Sequence, residues 1–291
     1  MNKKHFIRFV VIGLIFGVLT VNTFAQKEKQ PAKLIKSTKF KTETIEFGSG
    51  GTISIIGAPE GSIEIEGWNR PEVEITAEIE VQAANEGDLK LLAAVSGFLI
   101  EDSMSHISIS SVGSNDKKYL KSVNKKFPKR LRDSPFRINY KIKVPSYSDL
   151  EIDGGRGDLT LSMVEGVMRI KCLESNANLN LIGGTVQATI GAGDVNVTIA
   201  SRSWRGRFAE IQVAAGSLNV WLPQNLNANF SAKVLRTGKI DNSYDALKPT
   251  RKMPFTDTSI IAKAGNGGAE LSFTVGDGLL KIGGSEKIAK K

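Results

Sequence analysis

Cysteine and histidine are almost missing from this 291-residue chain, which holds one Cys and two His. His5 lies inside an N-terminal export signature, so a processed chain keeps only His106 and Cys172. A zinc centre built from Cys and His takes three or four such ligands, which excludes one here. Ser-His-Asp or Cys-His chemistry would have to run through His106 alone, and no Gly-x-Ser-x-Gly elbow accompanies it. The Gly-rich phosphate loops of nucleotide enzymes are also missing. No cofactor is therefore expected.

The N-terminus has the order of an export signal. Lys3, Lys4 and Arg8 precede an uncharged apolar run from Phe9 to Leu19, and Thr23-Phe24-Ala25 gives a small-x-small cleavage pattern before Gln26. The run is shorter than the ~20 apolar residues that span a bilayer, so no transmembrane helix is expected after cleavage. No Cys follows the cleavage pattern, which argues against a lipid anchor. Export, to the periplasm or the cell surface, is the resulting expectation, and it removes nucleic acid as the usual partner of a basic protein. In such an oxidising compartment Cys172 has no intramolecular partner, and its strand-like neighbours Met168 and Ile170 predict a buried, inert thiol.

Charge is unevenly distributed. The chain carries 39 Lys+Arg against 30 Asp+Glu. Loss of the signal leaves 36 basic residues, and eight of these crowd into residues 117–132, which hold no acid. The remainder of the processed chain is thus slightly acidic. The eight are Lys117, Lys118, Lys121, Lys125, Lys126, Lys129, Arg130 and Arg132, interspersed with Tyr119, Phe127 and Leu131. Two readings stand: a solvated loop whose charges discourage aggregation, or a contact with an anionic glycan, lipid or envelope protein.

Hydrophobic residues make up 41% of the chain, enough for a substantial core, and their spacing is dominated by alternation. Val73, Ile75, Ala77, Ile79 and Val81 predict a strand with one wet face. Ile138, Tyr140, Ile142 and Val144 predict another. Ile53/Ile55 and Ile63/Ile65, separated by Gly-Ala-Pro-Glu-Gly, read as a hairpin. One helix is predicted over 85–96, with Asn85 as N-cap, Asp88 in the capping-box position and Gly97 as terminator.

From residue 150 onward a unit recurs: a small residue, a polar one, an apolar one, a spacer, and a second apolar one. It reads Gly157-Asp158-Leu159-Thr160-Leu161, Ala177-Asn178-Leu179-Asn180-Leu181, Gly193-Asp194-Val195-Asn196-Val197 and Gly216-Ser217-Leu218-Asn219-Val220. Weaker copies follow at Gly238, Ser259-Ile260 and Gly278. The first apolar positions (159, 179, 195, 218, 240 and 280) lie about 20 residues apart once Ile260 splits the last gap. Second strand candidates sit between the copies, at Met168-Ile170-Cys172, Val186-Ala188-Ile190, Ile211-Val213, Phe230-Ala232-Val234 and Leu271-Phe273-Val275. Two short strands per unit with no connecting helix predict an all-β chain, a parallel β-helix or solenoid. Leu159, Leu179, Val195, Leu218 and Ile240 would form one internal column. A β-sandwich is the alternative. The chain then divides into a signal peptide (1–25), a flexible lead-in (26–38), an N-terminal β region (39–147) with helix 85–96 and basic loop 117–132, solenoid repeats (148–284) and a tail (285–291).

Within the repeats, Asp158, Asn178, Asp194 and Ser217 would stack as a polar ladder at one corner. Asp158 and Asp194, two coils apart, are the nearest approach to a paired-carboxylate hydrolase, with Glu210 as a further candidate. Corner positions favour Asp in any case, so no catalytic residue is assigned. Arg156-Gly157-Asp158 is read as repeat corner rather than adhesion tripeptide. Arg202-Ser203-Trp204-Arg205-Gly206-Arg207 interrupts the repeat. Arg202, Trp204, Arg205 and Arg207 would form either a stacking and anion-binding platform or an edge-covering loop whose Trp packs inward. Trp68 is expected to cover core at a strand end.

Gly61-Ser62-Ile63-Glu64-Ile65-Glu66-Gly67-Trp68, Val144-Pro145 followed by Asp149-Leu150-Glu151-Ile152, and Leu222-Pro223 before Phe230-Ser231-Ala232 and Gly238-Lys239-Ile240 resemble the bacterial putative adhesin domain family. The resemblance covers most of residues 40–284. It implies a stacked, parallel β-helix-like fold in an exported protein, and it carries no catalytic residues. The leading expectation is a non-enzymatic protein that binds or scaffolds envelope components. A carbohydrate-active enzyme, or an envelope sensor or assembly factor, is the alternative role on the same fold.

Overall fold

The computed structural model describes residues 34–123, 126–249, 252 and 254–285. The export signature, residues 26–33 of the lead-in, Lys125 and tail residues 286–291 lie outside them. The described part is all-β: seventeen strands form one continuous curled sheet, with two short helices. In chain order these are β1 (Ile35–Glu46), β2 (Thr52–Ile56), β3 (Ile63–Trp68), β4 (Glu72–Ala83), α1 (Glu86–Val95), β5 (Gly97–Asp102), β6 (His106–Val112), α2 (Lys117–Val123) and β7 (Phe136–Pro145). They continue with β8 (Asp149–Arg156), β9 (Leu159–Ser162), β10 (Val167–Glu174), β11 (Ala177–Leu181), β12 (Thr185–Ile199) and β13 (Phe208–Leu222). The last four are β14 (Ala228–Val234), β15 (Gly238–Asn242), β16 (Ser259–Ala264) and β17 (Glu270–Gly284).

Alternating burial drives the strands into two parallel ladders that share a corner. One ladder runs β6, β2, β8, β10, the first halves of β12, β13 and β17, and then β14. It aligns Ile53, Leu150, Met168, Val186, Ala209, Leu271 and Phe230, all buried, and so contains every second-strand candidate read from the repeat. The other runs β7, β3, β9, β11, the second halves of β12, β13 and β17, and then β15. All these buried side chains belong to one hydrophobic cluster, since no single coil covers its own apolar edge.

Long strands β12, β13 and β17 cross from ladder to ladder at Gly193, Gly216 and Gly278, whose φ values are +134°, +131° and +140°. Glycine is required there twice over. The φ disfavours any L side chain, and a Cβ would lie 1.8–2.1 Å from the carbonyl oxygen of the neighbouring coil.

Stack order departs from chain order at both ends. The coil made of β2 and β3 is inserted between β6/β7 and β8/β9, and β17, the last strand, is inserted between β13 and β14/β15. Antiparallel strands finish the ends: β5 on β6, β4 on β7 with β1 beyond it, and β16 on β14.

Several expectations are corrected. Ile53/Ile55 and Ile63/Ile65 form no hairpin; β2 and β3 pair with different strands and meet only at a corner. Leu179 does not follow Leu159 in the column. Leu159 aligns with Ala177, and Leu179 with Leu161 and Val197, because Ser175-Asn176 occupies the corner filled elsewhere by Gly-Asp. A two-residue slip keeps the same face inward, so periodicity alone could not detect it. Ile260 lies in antiparallel β16 rather than in a coil of its own. β1 begins at Ile35, inside the expected lead-in, because its twelve residues pair with β4 along their whole length. The N-terminal strands share the ladders of the repeats, so the two regions have one core.

Candidate functional site

The basic segment fills one corner of a terminal coil. Where β8 passes to β9 through Gly157-Asp158, the same passage from β6 to β7 is expanded to residues 113–135. It is not a bare loop. Asp116 accepts the backbone N–H groups of Lys118 and Tyr119 (both 2.9 Å) and starts α2, and Lys129–Leu131 make a 3-10 turn. Leu120, Phe127 and Leu131 are buried and Tyr119 is partly buried, which ties the segment to the core at four points. Arg130 donates to the Asp88 carboxylate, and Asp88 also receives the Asn85 side-chain amide (2.9 Å) while its N–H is capped by Asn85 (2.9 Å). The predicted N-cap of α1 is thereby joined to the basic segment.

The anchored scaffold holds Lys117, Lys118, Lys121, Lys126, Lys129, Arg130 and Arg132 in solvent. Among the described residues, Lys117, Lys118, Lys121, Lys129 and Arg132 have no acidic partner.

The second candidate group separates. Trp204 is 7% exposed and its indole N–H donates to the Gly184 carbonyl (2.9 Å), so it seals a gap between coils and is no stacking platform. Arg205 pairs with Glu165 (2.9 Å). Arg202 and Arg207 are exposed, and the Arg202 carbonyl accepts the Asn227 N–H (2.7 Å). A buried indole leaves the three guanidinium groups without the aromatic surface on which that expectation rested.

At the corner, the polar ladder comprises Asp158, Asn176, Asp194 and Ser217. Asn176 Nδ2 donates to Asp158 Oδ1 (3.4 Å), the Asp194 N–H to Asn176 Oδ1 (3.2 Å), and Ser217 Oγ to Asp194 Oδ1 (2.6 Å). Asn178, expected there, belongs to a second ladder in which Asn196 donates to Asn178 (3.1 Å) and Asn219 to Asn196 (3.0 Å). Arg156 pairs with Glu174 (3.3 Å), so the Arg-Gly-Asp stretch is part of the corner. Glu210 accepts from Gln212 (2.7 Å) on an outer face.

Two buried groups have displaced acidities. Burial pushes the Cys172 thiol up to about 11, the direction that makes it unreactive. Burial also raises Tyr140, whose hydroxyl shares a 2.7 Å hydrogen bond with Ser111. Trp68 donates to the Glu72 carbonyl (2.8 Å) and lies under Arg70 and Lys143. Trp221 escaped the sequence reading, although its place one step past the recurring Asn219-Val220 marks it as outward-facing. No helix among the described residues is long and apolar enough to cross a membrane.

A family profile described as Toastrack DUF4097 matches residues 23–282. Among solved structures, a protein described as a putative cell adhesion protein from Clostridium sporogenes is 14% identical, with TM-score 0.45 over 86% of this chain and 100% of that one. A putative adhesin from Bacteroides fragilis is 12% identical, with TM-score 0.34 over 84% and 97%. A putative lipid binding protein from Parabacteroides distasonis is 12% identical, with TM-score 0.24 over 83% and 96%. No curated protein matches the chain.

Proposed function

We propose, for a chain that belongs to the Toastrack DUF4097 family, an exported, non-enzymatic, adhesin-like β-solenoid whose basic corner docks on the anionic groups of the cell envelope. The observation that carries this reading is the anchored presentation of the cations. Five basic side chains without acidic partners project from a segment whose Leu120, Phe127 and Leu131 are sunk in the core. A segment that served only to keep the protein soluble would need no such anchoring. The export signature and the two stacked parallel ladders support the remainder of the proposal. Asp158 and Asp194, the residues an enzymatic reading would require, spend their carboxylates on the corner ladder.

Each basic side chain near an anionic surface contributes about 1 kcal/mol, and the attraction falls off within a Debye length of roughly 8 Å at physiological salt. The test is co-sedimentation with phosphatidylglycerol vesicles and retention on heparin, a soluble polyanionic glycan, using wild type and a variant with Lys117, Lys118, Lys121, Lys129 and Arg132 all changed to Gln. Salt-sensitive binding that the variant loses supports the proposal, and the two arms separate lipid from glycan as the source of charge. Equal binding by both proteins refutes it.

A further inference from the structure

The outer face of the second ladder carries chemistry of a different kind. Across three successive coils, β11, β12 and β13 align Asn178, Asn196 and Asn219 in one outward row, and Asn180, Thr198 and Trp221 in the next. None of the six is ionisable. Charge resumes on these rows at Glu64, beyond Thr160, at Glu66, beyond Ser162, and at Lys281, beside Asn219. The outer face of the first ladder, by contrast, carries Glu151, Asp153, Arg169 and Lys171 on adjoining strands.

Trp221 sets this strip apart. The indole N–H groups of Trp68 and Trp204 are both committed to backbone carbonyls. That of half-buried Trp221 has no partner among the described residues. Its six-membered ring packs against Gly283, where a Cβ would come within 2.7 Å of Cζ3, so the glycine makes the room that the ring occupies. The asparagine ladder has similar spare capacity. Each amide offers two N–H groups and two lone pairs, and Asn196 uses one of each to bond its neighbours. The result is a row of oriented donors and acceptors at about 4.8 Å intervals beside a fixed aromatic ring.

We infer that this strip binds an uncharged, linear oligosaccharide. An indole gives the apolar face of a sugar ring a surface to lie on, and its free N–H, with the amides, can bond the hydroxyls. None of the six positions carries a cation to offset desolvation of a uronate or phosphate, and the flanking Lys281 stands in register with Asp241 of β15, which favours a neutral chain. The site is separate from the basic corner and does not depend on it.

The probes are cellotetraose and tetra-N-acetylchitotetraose, titrated calorimetrically into the whole protein. Saturable binding of at least one is expected. Trp221→Ala should weaken it about tenfold or more, as truncation of a contacting Trp generally does. Thr198→Glu, which sets a carboxylate beside the ring without touching the core, should weaken it comparably, and thermal unfolding verifies that both variants remain folded. The five-Gln variant of the basic segment should bind the sugar like wild type, so this site and the anionic one can fail separately. Binding of neither oligosaccharide overturns the inference. So does an affinity in both Trp221→Ala and Thr198→Glu that stays within about twofold of wild type.

Discussion

Replacing Gly193 by Ala adds a single methyl group at a corner, and the structure makes its cost large. Gly193 has φ +134°, outside the region open to L residues, and holding a non-glycine residue in such a conformation costs on the order of 1–3 kcal/mol. The new Cβ would also stand 2.1 Å from the Ser175 carbonyl oxygen, whereas ordinary contact begins at 3.4 Å. Relief requires the two coils to part by about an ångström, which breaks the flanking ladder bonds or overpacks the corner at roughly 1–3 kcal/mol more. A loss of about 3 kcal/mol would lower Tm by about 6–12 °C in a protein of this size. Gly48 provides the control, because nothing lies within 4 Å of its would-be Cβ and its φ is not in the positive range. Calorimetric melting of both variants is the assay. A Gly193→Ala protein that melts with Gly48→Ala would refute the claim that the corners dictate glycine.

Cys172 should resist a thiol reagent at pH 8 until the protein unfolds. Because burial raises its pKa to about 11 from 9.0, the folded state keeps its proton longer than the unfolded one, so stability is full below pH 9 and falls between about 9 and 11. Cys172→Ala should flatten that part of the stability profile, while Tyr140, raised by burial in the same sense, prolongs the loss above pH 10. Asp88→Ala removes both the Asn85 contact and the Arg130 ion pair, and should cost about 1–3 kcal/mol and speed tryptic cleavage within residues 117–132. An unchanged digestion pattern would show that Arg130 does not hold the segment down. Phe273→Ala, which empties a fully buried site beside Phe230 (ring centroids 5.4 Å apart), should cost about 3–5 kcal/mol in denaturant melts.

What could be read from the sequence depended on the range of the interaction. Inward-facing residues obey a period of two that survives in the chain itself, so β4, β7 and the strands of the repeat are visible, as are the Asn85 cap and the burial of Cys172. The corner glycines are visible for the same local reason. Pairing is not local. Nothing in Ile53-Ser54-Ile55 states that its partners are His106–Ser110 and Asp149–Asp153 rather than the strand just after it. The shift of Leu179 by two residues was hidden because Asn176 and Asn178 are chemically alike and both face outward. α2 was obscured by charge: its cap, Asp116, and its buried Leu120 were present but outnumbered by lysines. Trp204 and Trp221 could have been exchanged on composition alone. Alternation marks Trp221 as outward-facing, but the Gly184 carbonyl that seals Trp204 in and the Gly283 on which the Trp221 ring rests are brought to them by pairing between coils.

The interleaved ends bear on where new function can be added to such a chain. Because β17 lies between β13 and β14/β15, pairing with both, the C-terminal strand acts as an interior member of the stack. The same holds near the N-terminus, where β2 and β3 are flanked on both sides. Coils in these places cannot lengthen without displacing two neighbours, and their corners are tight. The β6-to-β7 passage belongs to a terminal coil, with the stack on one side only, and there the chain expands into α2 and its cations. Outward side chains on the inner coils are equally unconstrained by packing, and there the Asn rows and Trp221 occur. The two proposed contacts thus occupy two kinds of position that the stacking does not govern, a terminal corner and an outward face, whereas the inner-coil insertion at Arg202–Arg207 is closed over by Trp204.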